Sequence, residues 1–353
     1  MFVAWRDLRF ARGRFALMAA VVVLITLLVG LLSGLTAGLG RDSTSAITDL
    51  PADHLVFSAP AQDAAPSFTS SSVGPDQWQE WAAVPGVQQA QPLGVATTRV
   101  ESGDRSAALT AMGVLPGSSL APEPVTPGEV VLSTGAAEAL GAGPGDTVTL
   151  AGVALSVTAV SGDAAYSHTP VVWTGLDDWQ RLTPGGAPAS VIALTTGGPV
   201  DLAGADAELG THTLSRADSL SAIGSYTAEN GSLQLMRGFL FAISALVIGA
   251  FFTVWTIQRS GDIAVLKALG AGTGYLLRDA LGQAVVLLVG GTALGTALAA
   301  ALGAVAARSV PFLLDPTTML VPAVVIIVLG ALGAGLSIRR ITAVDPLTAL
   351  SAG

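Results

Sequence analysis

Few side chains in this sequence have the type and spacing that chemistry needs. There is no cysteine, and the three histidines, His54, His168 and His212, are isolated in sequence. No Gly-x4-Gly-Lys-[Ser/Thr] phosphate loop, His-Glu-x-x-His or Gly-x-Ser-x-Gly occurs. The glycine-rich stretches 140–145 and 270–274 lack the required lysine and hydroxyl spacing and read as turns, so the sequence supports no catalytic site. Two other groupings can do something. On a helix, Tyr226, Glu229, Leu233, Met236 and Arg237 fall within roughly one third of the circumference. They set oxygen and sulfur donors that can ligate a metal beside a cation that can pair with an anion. The plainer reading makes Glu229 a solvated charge on a stalk helix, Met236 packing, and Arg237 a snorkelling interfacial residue. Further on, 262–270 places Ile263, Leu266, Lys267 and, one position on, Gly270 along one side of a helix, with Arg259 and Asp262 nearby. An apolar stripe edged by charge fits a groove in a soluble partner, or else the lipid surface.

The elements that must carry these residues follow from composition. The chain has 353 residues, 51% hydrophobic and only 12% charged, with a mean hydropathy of +0.64, so the bilayer is the solvent for much of it. A membrane helix needs roughly 20 mainly apolar residues to cross about 30 Å of hydrocarbon. Four windows qualify, 15–39, 237–257, 280–307 and 319–338. The first reads as a retained anchor, because its apolar run is about twice a signal-peptide core and no small-residue cleavage site follows. Cations fix the orientation. Arg6, Arg9, Arg12 and Arg14 precede the first span, Arg259, Lys267 and Arg278 follow the second, and Arg339 and Arg340 follow the fourth. The segments 1–14, 258–279 and 339–353 are therefore expected in the cytoplasm, with a short external loop at 308–318. Residues 41–236 carry five Arg, no Lys and 20 acidic residues, a net formal charge of −15. The whole of 40–236 is thus expected outside the cell membrane, as an α+β domain ending in a stalk helix.

Without cysteine that domain must hold together by packing. Strands are expected at 54–58, 94–100, 107–113, 129–132, 171–173 and 191–195. A short helix follows Asp76, a capped helix spans 133–140 and stops at Gly141, and a hairpin turns at Ala151-Gly152 between 146–150 and 153–160. Another helix is capped near Asp177, and 215–234 reads as a helix running into the second span, which would couple domain and membrane mechanically. Within the membrane, Gly30, Gly34 and Gly38 recur every four residues, a face that lets another helix approach closely and a candidate dimer seam. A second stripe, Gly291, Gly295, Ala299 and Gly303, is a candidate for packing inside one protomer, although a chain with 42 glycines makes chance a competitor.

The loop after the second span reads Gln258-Arg-Ser-Gly-Asp-Ile-Ala-Val-Leu-Lys-Ala-Leu-Gly-Ala. It resembles the cytoplasmic loop of the FtsX/MacB-type ABC transporter permeases, roughly Arg-x-x-Glu-Ile-Ala-x-Leu-[Lys/Arg]-Ala-[Leu/Ile]-Gly-Ala. Arg259, Ile263, Ala264, Leu266, Lys267, Ala268, Leu269, Gly270 and Ala271 match, and Asp262 stands where the family usually has Glu. The order of one span, a large external domain, three spans and a tail closing on Asp345-Pro346-Leu347 is similar to the family's. So is the external segment from Glu129 through Gly141, Gly145 and Asp146 to Leu150.

The resemblance implies an α-helical integral membrane protein with four transmembrane helices plus an α+β extracytoplasmic domain. It also implies a homodimer of this permease, in contact with membrane lipid and working with two copies of an ABC ATPase subunit. ATP-Mg would bind that partner, the chain itself would hold no intrinsic cofactor, and nucleic acid is no partner. Coupling would pass through Arg259, Asp262, Ile263, Leu266, Lys267 and Gly270. Size and the compact external domain look most like the haem-exporter permeases of the HrtB type. On that resemblance haem becomes a candidate substrate: Glu229 or Tyr226 to ligate iron, Met236 opposite it or as a soft wall, and Arg41 or Arg237 to pair with propionates. Export of a peptide, antibiotic or lipid, and non-transporting regulation of a cell-wall hydrolase, are the alternatives.

Overall fold

The fold is described from a computed structural model covering residues 12–60, 64–182, 185–258, 261, 265, 269–270 and 272–342. The chain divides into two compact units, one of residues 39–231 and one made of residues 1–38 with 232–353.

In the membrane unit, four helices are long and apolar enough to cross a bilayer, with candidate spans Ala16–Thr48, Tyr226–Gln258, Arg278–Ala306 and Pro316–Leu336. They belong to helices α1 (Arg12–Thr48), α6 (Tyr226–Gln258), α7 (Thr273–Ala306) and α8 (Pro316–Thr342). One stripe of each packs inward, Val22 and Val29 meeting Ile248, Phe252, Ala284, Leu288, Ile326 and Ala334. Leu24, Leu28, Leu246, Val254 and Val324 are exposed, as lipid-facing side chains must be.

The glycines set the closest contacts. A Cβ on Gly30 would lie 2.8 Å from the Ala299 Cβ, one on Gly291 2.8 Å from Val22, and one on Gly295 2.7 Å from Thr26 and the Val23 carbonyl. The Phe312 ring fills the notch between Gly34 and Gly303, Gly38 lies against the Pro311 carbonyl, and the Leu313 N–H donates to the Gly34 carbonyl at 3.0 Å. The two stripes are therefore each other's partners. The face expected as a dimer seam, Gly30, Gly34 and Gly38, thus permits close approach and is met within this chain by Ala299, Phe312 and Pro311.

In the other unit, ten strands among the described residues form one sheet. They are β1 (His54–Ser58), β2 (Val87–Ser102), β3 (Arg105–Val114), β4 (Glu129–Leu132), β5 (Thr147–Leu150), β6 (Val153–Val160), β7 (Ala165–Tyr166), β8 (Thr169–Gly175), β9 (Val191–Thr196) and β10 (Thr211–Ser215). The order is β10-β1-β9-β2-β3-β8-β4-β6-β5, with β7 on β8. The long β2 pairs again with β5, Val100 opposite Leu150. Pairing is antiparallel except β3 with β8 and β4 with β6.

Alternation along the strands splits the core in two. Leu55, Phe57, Val131, Val171 and Trp173 bury on one face, where Ala46, Ile47 and Leu50 from the end of α1 cover them. Val56, Val130, Leu132 and Val172 bury on the other. Helices α2 (Pro75–Ala83), α3 (Thr134–Leu140), α4 (Leu176–Leu182) and α5 (Leu202–Leu209) cover that second face with Trp81, Leu140, Trp179 and Ala205. Gly94 and Gly113 are directly paired on β2 and β3, and a Cβ on either would collide with Trp179.

Local signals explain several elements. The Ser133 Oγ accepts from the Ala136 N–H and Gly141 closes α3 at φ 61°. Ala151 at φ 44° and Gly152 at φ 86° make the two-residue turn between β5 and β6. One expectation fails: 215–234 is not a continuous helix. A 3-10 turn at Asp218–Ala222 ends on extended Ile223, and α6 begins only at Tyr226, because Gly224 and the Asp218 and Ser215 side-chain turn favour a break.

If the glycine face is intrachain, Gly34→Leu must expel Phe312. The expected loss is about 1–3 kcal/mol of stability, read as a lower unfolding temperature in detergent that does not change with protein concentration. A concentration-dependent loss would restore the seam between copies.

Candidate functional site

The side chains with chemistry gather in the 39–231 unit, around the tip between β7 and β8. Ser167 and His168 both have positive φ, 48° and 62°, and make a tight turn without glycine. Backbone bonds dock this tip on α1: the Ser167 N–H donates to the Ser43 carbonyl at 2.9 Å and the His168 N–H to the Asp42 carbonyl at 3.3 Å. Beneath it, the Ser45 hydroxyl accepts from the Ala165 N–H at 2.8 Å.

This seating puts the His168 ring between two carboxylates. Nδ1 lies 3.0 Å from Asp42 Oδ2 and Nε2 2.9 Å from Glu229 Oε2. The Glu229 hydrogen bond raises the His168 pKa above its ordinary value, outweighing desolvation, and the Asp42 hydrogen bond adds a lesser contribution in the same direction. Close by in the chain, the Arg41 guanidinium bridges Asp49 at 2.9 Å and Asp163 at 3.1 Å. Each cation is thus shared by two acids.

The candidate residues fare differently. Glu229 is half-exposed and held by His168. Tyr226 is partly buried, its ring packed on the domain core. Arg41 is engaged by its two carboxylates. Met236 and Arg237 fall within α6 like Tyr226 and Glu229, but belong to the membrane unit; Met236 is 47% exposed. Of the coupling loop, Arg259, Asp262, Ile263, Leu266 and Lys267 lie outside the described residues. Gly270 has φ 92°, and Leu269, whose N–H donates to the Val265 carbonyl, is 80% exposed. Sequence reasoning missed His168 and Asp42. They are 126 positions apart and Glu229 is another 61 beyond, so no spacing could have joined them.

The MacB-like periplasmic core domain family matches residues 15–211, and the FtsX-like permease C-terminal family matches residues 235–346. The chain belongs to the FtsX/MacB-type permease family. Among its relatives, the candidate hemin transport system permease protein HrtB of Staphylococcus haemolyticus is 27% identical over 363 residues, 99% of each chain. An uncharacterized ABC transporter permease of Mycobacterium tuberculosis strain H37Rv is 25% identical over 357 residues, again 99% of each chain. The solved periplasmic region of MacB from Actinobacillus actinomycetemcomitans is 13% identical with a TM-score of 0.38, covering 49% of this chain and 92% of that one. The chain is thus an ABC transporter permease with four membrane helices and a MacB-like α+β domain.

In this permease the His168 bridge contributes stability fully present below the unfolded histidine pKa, about 6.5, and lost as pH rises through the higher folded value. The three side chains are more than one-third exposed, so screening holds the contribution to about 1 kcal/mol. His168→Ala is expected to lower stability by that amount at pH 6 and by less above the folded pKa, in thermal unfolding across pH. An effect that grows with pH would refute the bridge.

Proposed function

We propose that this permease is the membrane-spanning part of an efflux complex that expels haem from the outer leaflet, driven by ATP hydrolysis on separate ATPase subunits. The observation that carries the reading is the full-length similarity to the staphylococcal HrtB, named for a hemin transport system. The distribution of Arg and Lys supports cytoplasmic termini and an extracytoplasmic acidic domain.

Glu229 is the preferred iron ligand, because its carboxylate is half-exposed while the Tyr226 ring is packed. Iron binding to Glu229 would leave the imidazolium of His168 to face a propionate. Arg237 is the better second cation, since Arg41 is already matched by Asp49 and Asp163. Met236 supplies a soft wall or an opposite ligand. Two copies of the permease would work with two ATPases, and closure of the ATPases would push on the 262–270 segment to narrow the outer crevice.

Two measurements check this. Purified wild type incubated with haem should show a Soret band that Glu229→Ala weakens severalfold while the protein stays folded; a wild type without the band ends the haem reading. With a partner ATPase in vesicles, Leu266→Asp should leave membrane insertion intact and abolish the coupling of ATP hydrolysis to transport. Transport that survives it removes the coupling role from that loop.

A further inference from the structure

The last residues of α1 and the first of α6 lie in the same compact unit as the sheet, and each helix runs on unbroken into the membrane unit. The turn between β7 and β8 reaches both. Tyr166 pairs with Thr169, so Ser167 and His168 are a two-residue hairpin loop. Their φ values of 48° and 62° are ones that residues other than glycine seldom adopt, and such a conformation persists where its surroundings impose it.

The turn is held differently on its two sides. Towards α1 the grip is backbone: the Ser167 and His168 N–H groups donate to the Ser43 and Asp42 carbonyls, and the Ala165 N–H donates to the Ser45 hydroxyl. Towards α6, the one hydrogen bond or ion pair among the described residues is that of His168 Nε2 with Glu229 Oε2, at 2.9 Å. Protonation decides how many acids the ring can hold. An imidazolium has two N–H donors, one for Asp42 and one for Glu229. A neutral imidazole has one, and turns a bare lone pair towards the other carboxylate. It keeps Asp42, to which the backbone already ties it, and gives up Glu229.

No other charge takes over. Asp42 from α1 and Glu229 from α6 are the charged groups that face the ring. Arg41 is engaged by Asp49 and Asp163. On the hairpin itself, Tyr166 is 4% exposed and its burial raises the phenol pKa, so it stays neutral. Thr169, hydrogen-bonded to Thr110, carries no charge.

We propose that His168 is a proton-operated latch between α1 and α6: the charged ring joins the two helices, and the neutral ring lets α6 part from α1. The latch thus sets whether two membrane helices move as one where they enter the sheet-bearing unit. It needs no ligand, so it stands or falls independently of haem at Glu229. Because the two acids raise the His168 pKa, the latch is closed below about 6.5, the ordinary histidine value, and opens as pH rises through the higher folded value.

The chain has no cysteine, and a Cβ on Gly40 of α1 or Gly231 of α6 meets nothing within 4 Å. Gly40→Cys combined with Gly231→Cys therefore places two spin labels beside the latch. Dipolar EPR on the full chain in nanodiscs, without haem, reads their separation at pH 6 and pH 9. A short distance should dominate at pH 6 and a longer one grow in at pH 9, the ratio of short to long falling about fivefold. His168→Asn suits the left-handed turn but never carries charge, and should give the pH 9 distribution at both values. Glu229→Gln, on a half-exposed side chain, should flatten the pH response as well. A distribution that does not change with pH overturns the proposal, as does a change that survives in His168→Asn. Should His168→Asn fail to fold, a pH response that survives in Glu229→Gln overturns it instead.

Discussion

Hydrocarbon can neither satisfy a backbone N–H or C=O nor reward apolar side chains for meeting one another. Everything in the membrane unit answers to those two facts. The first forces continuous helices, and two buried hydroxyls follow suit, Ser244 and Thr256 each donating back to a carbonyl four residues earlier at 2.6 Å, whereas those of Thr26, Ser33, Thr36 and Thr292 are buried without a partner. The second makes close backbone approach the main source of cohesion, which is why Gly30 and Gly34 on α1 face Ala299 and Gly303 on α7, directly or across Phe312. An exposed stripe of Leu or Val on the same helices gains nothing from a neighbour that lipid does not also supply. The glycines at Gly30, Gly34, Gly291, Gly295 and Gly303 are thus packing residues, whereas Gly141, Gly152 and Gly210 serve turns and helix ends at positive φ.

The other unit lives in water and solves the opposite problem. It has no disulfide to restrain its unfolded state, so its stability comes from burying both faces of a sheet. That requires two helical covers, one of them supplied by α1 itself through Ala46, Ile47 and Leu50. The second cover needs depth as well as area. The paired Gly94 and Gly113 lower the sheet surface by one side-chain layer, and Trp179 occupies the slot they leave. Burying an indole in such a slot removes more apolar area from water than most single side chains can.

Period and punctuation were the legible part of this fold. His54–Ser58 and Glu129–Leu132 are strands where the alternation and apolar runs put them, and Ser133 with Gly141 bounded a helix because capping is a local act. The helix Leu202–Leu209 and strand Thr211–Ser215 went unread, although Asp201 caps the one and Gly210 at φ 64° ends it; their short, polar-laced pattern is close to that of a loop. The partner of a glycine face was not legible either, because a stripe says that something comes near without saying what. The same holds for His168, whose neighbours are set by the docking of a turn on a distant helix, a fact that exists only after the sheet has formed.

That docking also determines what charge the site presents. Arg41 is held between two carboxylates, and so is His168, so the Arg41 group carries an excess negative charge throughout and the His168 group carries one when the imidazole is protonated and a larger one when it is not. Such groups repel free anions and attract cationic centres. On the proposed haem reading, a ferric tetrapyrrole would approach iron first: the metal would meet Glu229 before any propionate met a cation, and the imidazolium would be available to an anion only once its own carboxylate had turned to the iron. That order would follow from the pairing of the acids, which leaves each cation already matched before a ligand arrives.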